Sequence, residues 1–116
     1  NLAALLLDHR DDQESHARAL ELAERLRDTD QPAFLDTVGW AYYRNGDYPK
    51  AVRYLERAVA GAGQVPILRY HLGMAYAANS NTFGARQELS RAIDEAESDF
   101  IGIDEARSKL AELGDS

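Results

Sequence analysis

The chain contains no cysteine, so disulfide cross-links and thiolate metal sites are excluded, while the redox compartment stays open. Positive charge is scarce. Thirteen Lys and Arg face twenty Asp and Glu, a formal net charge of -7. That balance opposes a phosphate backbone, which needs a basic face, and it opposes docking on anionic lipid. Acidity of this degree serves solubility before anything else. No hydrophobic run is long enough to span a bilayer. The stretch near the start, Leu2-Ala3-Ala4-Leu5-Leu6-Leu7, is far too short, and no basic segment precedes it as in a signal peptide. The sequence opens on Asn1 rather than Met. It suggests neither a targeting signal nor a choice between cytoplasm and periplasm.

Chemistry-bearing motifs are also missing. The three histidines are His9, His16 and His71. His9 and His16 lie across an expected turn beside Asp8, Asp11 and Asp12, but a metal site needs three or four convergent ligands. Those aspartates lack the glycine and the closing glutamate of a calcium loop. There is no phosphate-cradling glycine motif, nucleophile elbow or helical zinc-protease pair. Carboxylates such as Glu95 and Glu97 read as a solvated helix face. The expectation is a protein that is not an enzyme and holds no cofactor or metal.

What the chain does have is an internal repeat. Val38-Gly39-Trp40-Ala41-Tyr42 and Leu72-Gly73-Met74-Ala75-Tyr76 both read apolar, Gly, bulky, Ala, Tyr, 34 residues apart. The same offset links Ala51 to Ala85, Leu55 to Leu89, Ala58 to Ala92 and Pro32 to Pro66. Each unit splits into two amphipathic helices. Leu35, Val38, Gly39 and Tyr42 line one face of the first, and Ala51, Leu55 and Ala58 one face of the second. Between them, Gly46 suits the left-handed residue that closes a helix and Asp47 the cap of the next. Gly61 and Gly63 are expected to end the second helix, and Pro66 to open the following one. Gly39 and Ala51, like Gly73 and Ala85, are small enough for the two helices of a hairpin to approach closely.

These residues resemble the tetratricopeptide repeat. Its 34-residue pattern, counted here from Pro32, places Trp, Leu, Gly, Tyr, Ala, Phe, Ala and Pro at positions 4, 7, 8, 11, 20, 24, 27 and 32. The first unit supplies Leu35, Val38, Gly39, Tyr42, Ala51, Leu55, Ala58 and Gly63. The second, from Pro66, supplies Arg69, Leu72, Gly73, Tyr76, Ala85, Leu89, Ala92 and Glu97. The Gly, Tyr and two Ala positions match in both units; position 4 and the closing Pro do not. Leu2-Ala3, Leu6, Ala19, Ala23 and Leu26 resemble a degenerate earlier unit with a lengthened turn at Arg10–Ser15. Beginning mid-repeat implies further repeats upstream. After the second unit, Ile103, Ala106, Leu110 and Leu113 mark one face of a last helix, with Asp104, Glu105, Arg107, Lys109 and Glu112 elsewhere and Gly114 closing it. One apolar and one solvated side is what the end of a solenoid requires.

The resemblance therefore implies an all-α, right-handed superhelix of about seven antiparallel helices. Its parts are a partial repeat over 1–31, full repeats over 32–65 and 66–99, and a capping helix over 100–116, at the C-terminal end of a longer bacterial-type array. It also implies a scaffold that binds a protein or peptide segment in a concave groove lined by the first helix of each hairpin. The groove positions are 2, 5, 6, 9, 12 and 13. They hold Ala33, Asp36, Thr37, Trp40, Tyr43 and Arg44, then Ile67, Tyr70, His71, Met74, Ala77 and Ala78. Trp40, Tyr43, Tyr70 and Met74 would form an aromatic and thioether patch, of residue types suited to interfaces. The alternative for Trp40 is packing against the next hairpin. The carboxylate clamp of chaperone-binding relatives is missing, so an acidic chaperone tail is not the expected ligand. Two structural roles stand as alternatives. One is an end module with no peptide ligand. The other is a homo-oligomer joined through the N-terminal edge, where Leu2, Leu5, Leu6 and Leu7 would lack an upstream partner.

Overall fold

The computed structural model describes residues 13–25 and 30–114, and the regular elements within them are all helical. They are α1 (Gln13–Glu24), α2 (Pro32–Arg44), α3 (Tyr48–Ala62), α4 (Pro66–Ala78), α5 (Thr82–Glu95) and α6 (Ile103–Leu113). Six helices are thus described where about seven are expected. The turn expected over residues 10–15 is over by Gln13, where α1 has begun. Leu2, Leu5, Leu6, Leu7, His9 and Leu26 lie outside the described residues, as do the side chains of His16 and Ala19. The self-association edge and the His9–His16 pair therefore fall outside them too.

Turns of the same construction fold α2 back on α3 and α4 back on α5. At the end of α2, the N–H of Asp47 donates to the Tyr42 carbonyl at 2.9 Å and that of Gly46 to the Tyr43 carbonyl at 3.1 Å. This crossed pair satisfies carbonyls that the helix end would leave orphaned. It requires a left-handed residue, and Gly46 supplies it at φ 87°. The second turn repeats the bonds, from Asn81 to Tyr76 at 2.8 Å and from Ser80 to Ala77 at 3.2 Å. There the left-handed residue is Ser80, at φ 68°. Asp47 and Asn81 then cap the helices that follow, accepting from the N–H of Lys50 and of Gly84 respectively. Pro32 and Pro66 open α2 and α4, where a missing N–H costs nothing. One terminator behaves otherwise than expected. Helix α3 runs through Gly61 to Ala62, and only Gly63 caps it, in ordinary right-handed geometry.

The hairpins close through their small residues. A Cβ on Gly39 would lie 2.6 Å from the Leu55 Cγ, and one on Gly73 would lie 2.7 Å from the Leu89 Cγ. Leu55, Leu89 and Val38 are fully buried, and the core runs unbroken through Tyr42, Ala51, Leu72, Ala75, Ala92 and Ala106. Leu35, Ala58 and Leu68 form a smaller cluster between successive hairpins. Arg69, at the position where the family pattern has Trp, joins elements through polar contacts instead. Its Nε donates to the Gly63 carbonyl at 2.7 Å, and its Nη1 pairs with Glu88 at 2.8 Å. Ala23 of α1 is fully buried against α2, which extends the same packing one helix upstream. None of the described helices is long and apolar enough to cross a membrane.

Candidate functional site

Alternate helices form two layers with different surroundings. Helices α2 and α4 touch, and so do α4 and α6, whereas α1, α3 and α5 do not touch one another. We call the layer of helices that meet, α2, α4 and α6, the inner wall, and every expected groove residue stands on the first two.

On α2 and α4 much of that wall is sealed by its own packing. The Trp40 ring stacks on Tyr43, with centroids 4.4 Å apart and planes 7° from parallel. It also stacks on His71 of α4, at 4.0 Å and 21°. Trp40 is left 8% exposed and packs one hairpin against the next. Tyr70 is equally covered, at 7%, and its ring lies 5.8 Å from that of Phe100. Gly102, at φ 98°, places its backbone against the Tyr70 ring where no Cβ could fit. Thr37 is buried and its Oγ1 donates to the Ala33 carbonyl at 3.0 Å, within its own helix.

The structure brings Asp36 and His71 together across the two helices. The His71 Nδ1 lies 2.7 Å from the Asp36 Oδ1, with both side chains largely enclosed. The contact braces α2 against α4. The Tyr43 phenol is pushed above its ordinary value by burial, then by neighbouring Tyr48, with Arg44 opposing. Tyr43, Arg44, Ile67 and Met74 remain half-buried on the wall.

Two depressions open beside α4. One, of about 330 Å³, runs between Met74 on α4 and the polar face of α6, with Asp104, Glu105, Ser108, Lys109 and Glu112 around it. The other, of about 460 Å³, lies where the α5–α6 linker meets the start of α4. Val65, Pro66, Ile67 and Phe100 give it an apolar floor, and Glu95, Glu97 and Asp99 a carboxylate rim. Ile67 and Met74 are thus the expected residues that line these depressions. The carboxylates of α6 and its linker were not among the expected groove residues. The repeat held the signal: moving Tyr70, His71 and Met74 forward by the same 34 residues lands on Asp104, Glu105 and Ser108.

A family model of the tetratricopeptide repeat matches residues 32–60, which are α2 and most of α3. No curated protein matches the chain. The matched segment and the helical hairpin repeated behind it, with the same turns, caps and glycine contacts, support a tetratricopeptide repeat domain.

Proposed function

We propose that this domain is a protein–protein interaction scaffold that holds a peptide or protein segment against its inner wall, with no catalytic role of its own. The observation that carries the reading is the pair of depressions on the α4–α6 side, floored by Met74 in one and by Ile67 and Phe100 in the other. Amphipathic grooves of this kind take helical or extended segments through a few apolar anchors. The acidic balance of the chain favours a protein partner over nucleic acid. The family is a non-catalytic repeat scaffold, and fold alone names no partner.

In this reading the units are 32–65 and 66–99, and α6 with its flanks over 100–116 is a cap. Arg107 supports the cap. It occupies the repeat position of Gly39 and Gly73, where a partner helix's leucine comes within 2.6–2.9 Å of a would-be Cβ. An arginine there keeps a following helix from packing on α6 as α3 packs on α2. A structural end module is thus the second reading, and the two are compatible on one chain.

Photo-cross-linking separates them. A benzophenone side chain is placed at Met74 on the inner wall or at exposed Arg53 on α3, and each protein is irradiated in extract of its native host. Discrete adducts formed from position 74 and missing from position 53 are expected. The same adducts from both positions, or none from either, would leave only the structural reading.

A further inference from the structure

The two depressions beside α4 each join apolar side chains to several carboxylates. Between Arg91 and Arg107 the sequence has six carboxylates and no Lys or Arg. In the linker depression, the apolar floor of Ile67 and Phe100 is bordered by Glu95, Glu97 and Asp99, with no cation lining it. In the other, Met74 faces Asp104, Glu105 and Glu112, with Lys109 the one basic residue in the lining. Ile101, beside Phe100, is 78% exposed.

Some of these charges have a local explanation. Asp104 and Glu105 occupy the first turn of α6, where the helix dipole favours an anion. Glu95 lies 3.8 Å from Arg69, Asp104 3.6 Å from Arg107 and Glu112 3.2 Å from Lys109. The rest do not. Glu97 and Asp99 are in the linker, outside any helix end. Among the described residues, Glu97, Asp99 and Glu105 pair with no Lys or Arg. Nor, among those residues, do three acidic or histidine side chains converge to hold a metal ion. The carboxylates are spread over the two depressions, at the spacing of separate side chains rather than of one ion.

We infer that the segment docking along the α4–α6 seam is basic and amphipathic, seating apolar side chains on Met74, Ile67 and Phe100 and presenting Lys or Arg to the carboxylate rim. This rests on the scaffold reading above and adds the chemistry of the partner. Complementary charge of this kind accelerates encounter and rejects acidic segments more than it adds raw affinity.

The test uses two 12-residue amphipathic peptides of one pattern, Lys with Leu and Glu with Leu, titrated into the protein by calorimetry and by amide NMR. The Lys–Leu peptide is expected to bind and to shift the amides of Ile67, Met74 and residues 95–105, while the Glu–Leu peptide leaves them in place. Raising ionic strength from about 0.1 M to about 1 M shortens the screening length from about 10 Å to about 3 Å and is expected to weaken binding by about tenfold. The pair Glu97→Lys and Glu105→Lys, on exposed sites and checked for an unchanged circular dichroism spectrum, is expected to abolish Lys–Leu binding. Equal binding of both peptides, indifference to salt and to charge reversal, or shifts confined to another face would each overturn the inference. If Met74 still cross-links a partner while the Lys–Leu peptide fails to bind, the basic partner falls and the scaffold stands. If neither occurs, the scaffold falls as well.

Discussion

Gly39→Ala adds one methyl group at the closest point of the first hairpin, and the structure sets what that methyl meets. Its Cβ would stand 2.6 Å from the Leu55 Cγ, 2.9 Å from the Leu55 Cδ2 and 3.2 Å from the Ala51 carbonyl oxygen. Carbon atoms rest about 3.5–4.0 Å apart, so Leu55 must retreat by about 1 Å. It has nowhere obvious to go, being fully buried. Overpacking of this kind costs about 1–3 kcal/mol. Alanine is the better helix former by about 1 kcal/mol, which offsets part of it. The single variant should lose about 0–2 kcal/mol, too broad a range to decide anything alone. Leu55→Ala decides it. By itself it removes a buried leucine at about 2–5 kcal/mol. In that background the two closest contacts of the new methyl are gone, and Gly39→Ala should turn neutral or stabilising by about 1 kcal/mol.

The expected coupling is therefore about 1–3 kcal/mol, with the second substitution partly rescuing the first. Urea unfolding followed by far-ultraviolet circular dichroism gives each stability from its midpoint, provided the slope is unchanged across the four proteins. Additivity within about 0.5 kcal/mol would show that Gly39 is not held small by Leu55. The repeat supplies an internal control, because Gly73 and Leu89 stand in the same relation and should give the same sign.

Ser80 holds the left-handed conformation that Gly46 holds in the preceding turn, so Ser80→Gly should stabilise by about 0.5–1 kcal/mol, read as a higher melting temperature. An unchanged or lower melting temperature would show that Ser80 is not strained there. The phenols of Tyr42 and Tyr76 are held above their ordinary value by burial first, then by hydrogen bonds to Glu24 and Glu56 and the charge of those carboxylates. Above about pH 10, the unfolded phenol value, the folded state then keeps protons that the unfolded state releases, so stability is full below that pH and falls as pH rises past it. Urea titrations across this range should show a shallower fall for the protein carrying Tyr42→Phe and Tyr76→Phe, and an equal slope would refute the assignment.

Much of the architecture was legible because it is dictated over short range. A glycine needed at φ 87°, an aspartate that caps, a proline at a helix start and a glycine facing a leucine are each set by neighbours within one hairpin. The 34-residue offset then repeats them. The state of the wall was less legible, for the opposite reason. Periodicity places Trp40 and Tyr70 on the inner face, but their exposure depends on whether the next hairpin covers that face. That is settled by His71 and Phe100, 31 and 30 residues further along. The Asp36–His71 bond joins two helices and has no local signature at all. Gly61 misled because a glycine inside a helix costs only about 1 kcal/mol, which packing overrides.

The three inner helices, compared at equal repeat positions, explain why the docking capacity gathers at one end. Positions 5, 6 and 9 hold Asp36, Thr37 and Trp40, then Tyr70, His71 and Met74, then Asp104, Glu105 and Ser108. In the first set Thr37 and Trp40 are buried, and Asp36 is engaged with His71. In the second, Tyr70 and His71 are buried and Met74 is half-covered. In the third, all three are exposed. Each inner helix spends its wall residues on the one that follows: Asp36 and Trp40 on α4, Tyr70 on the linker into α6. Asp104, Glu105 and Ser108 are not covered in this way, and they line the depression beside Met74. An apolar set there would be an aggregation hazard in water. Carboxylates keep the face soluble while it is empty and, beside Met74 and Ile67, select the charge of what fills it.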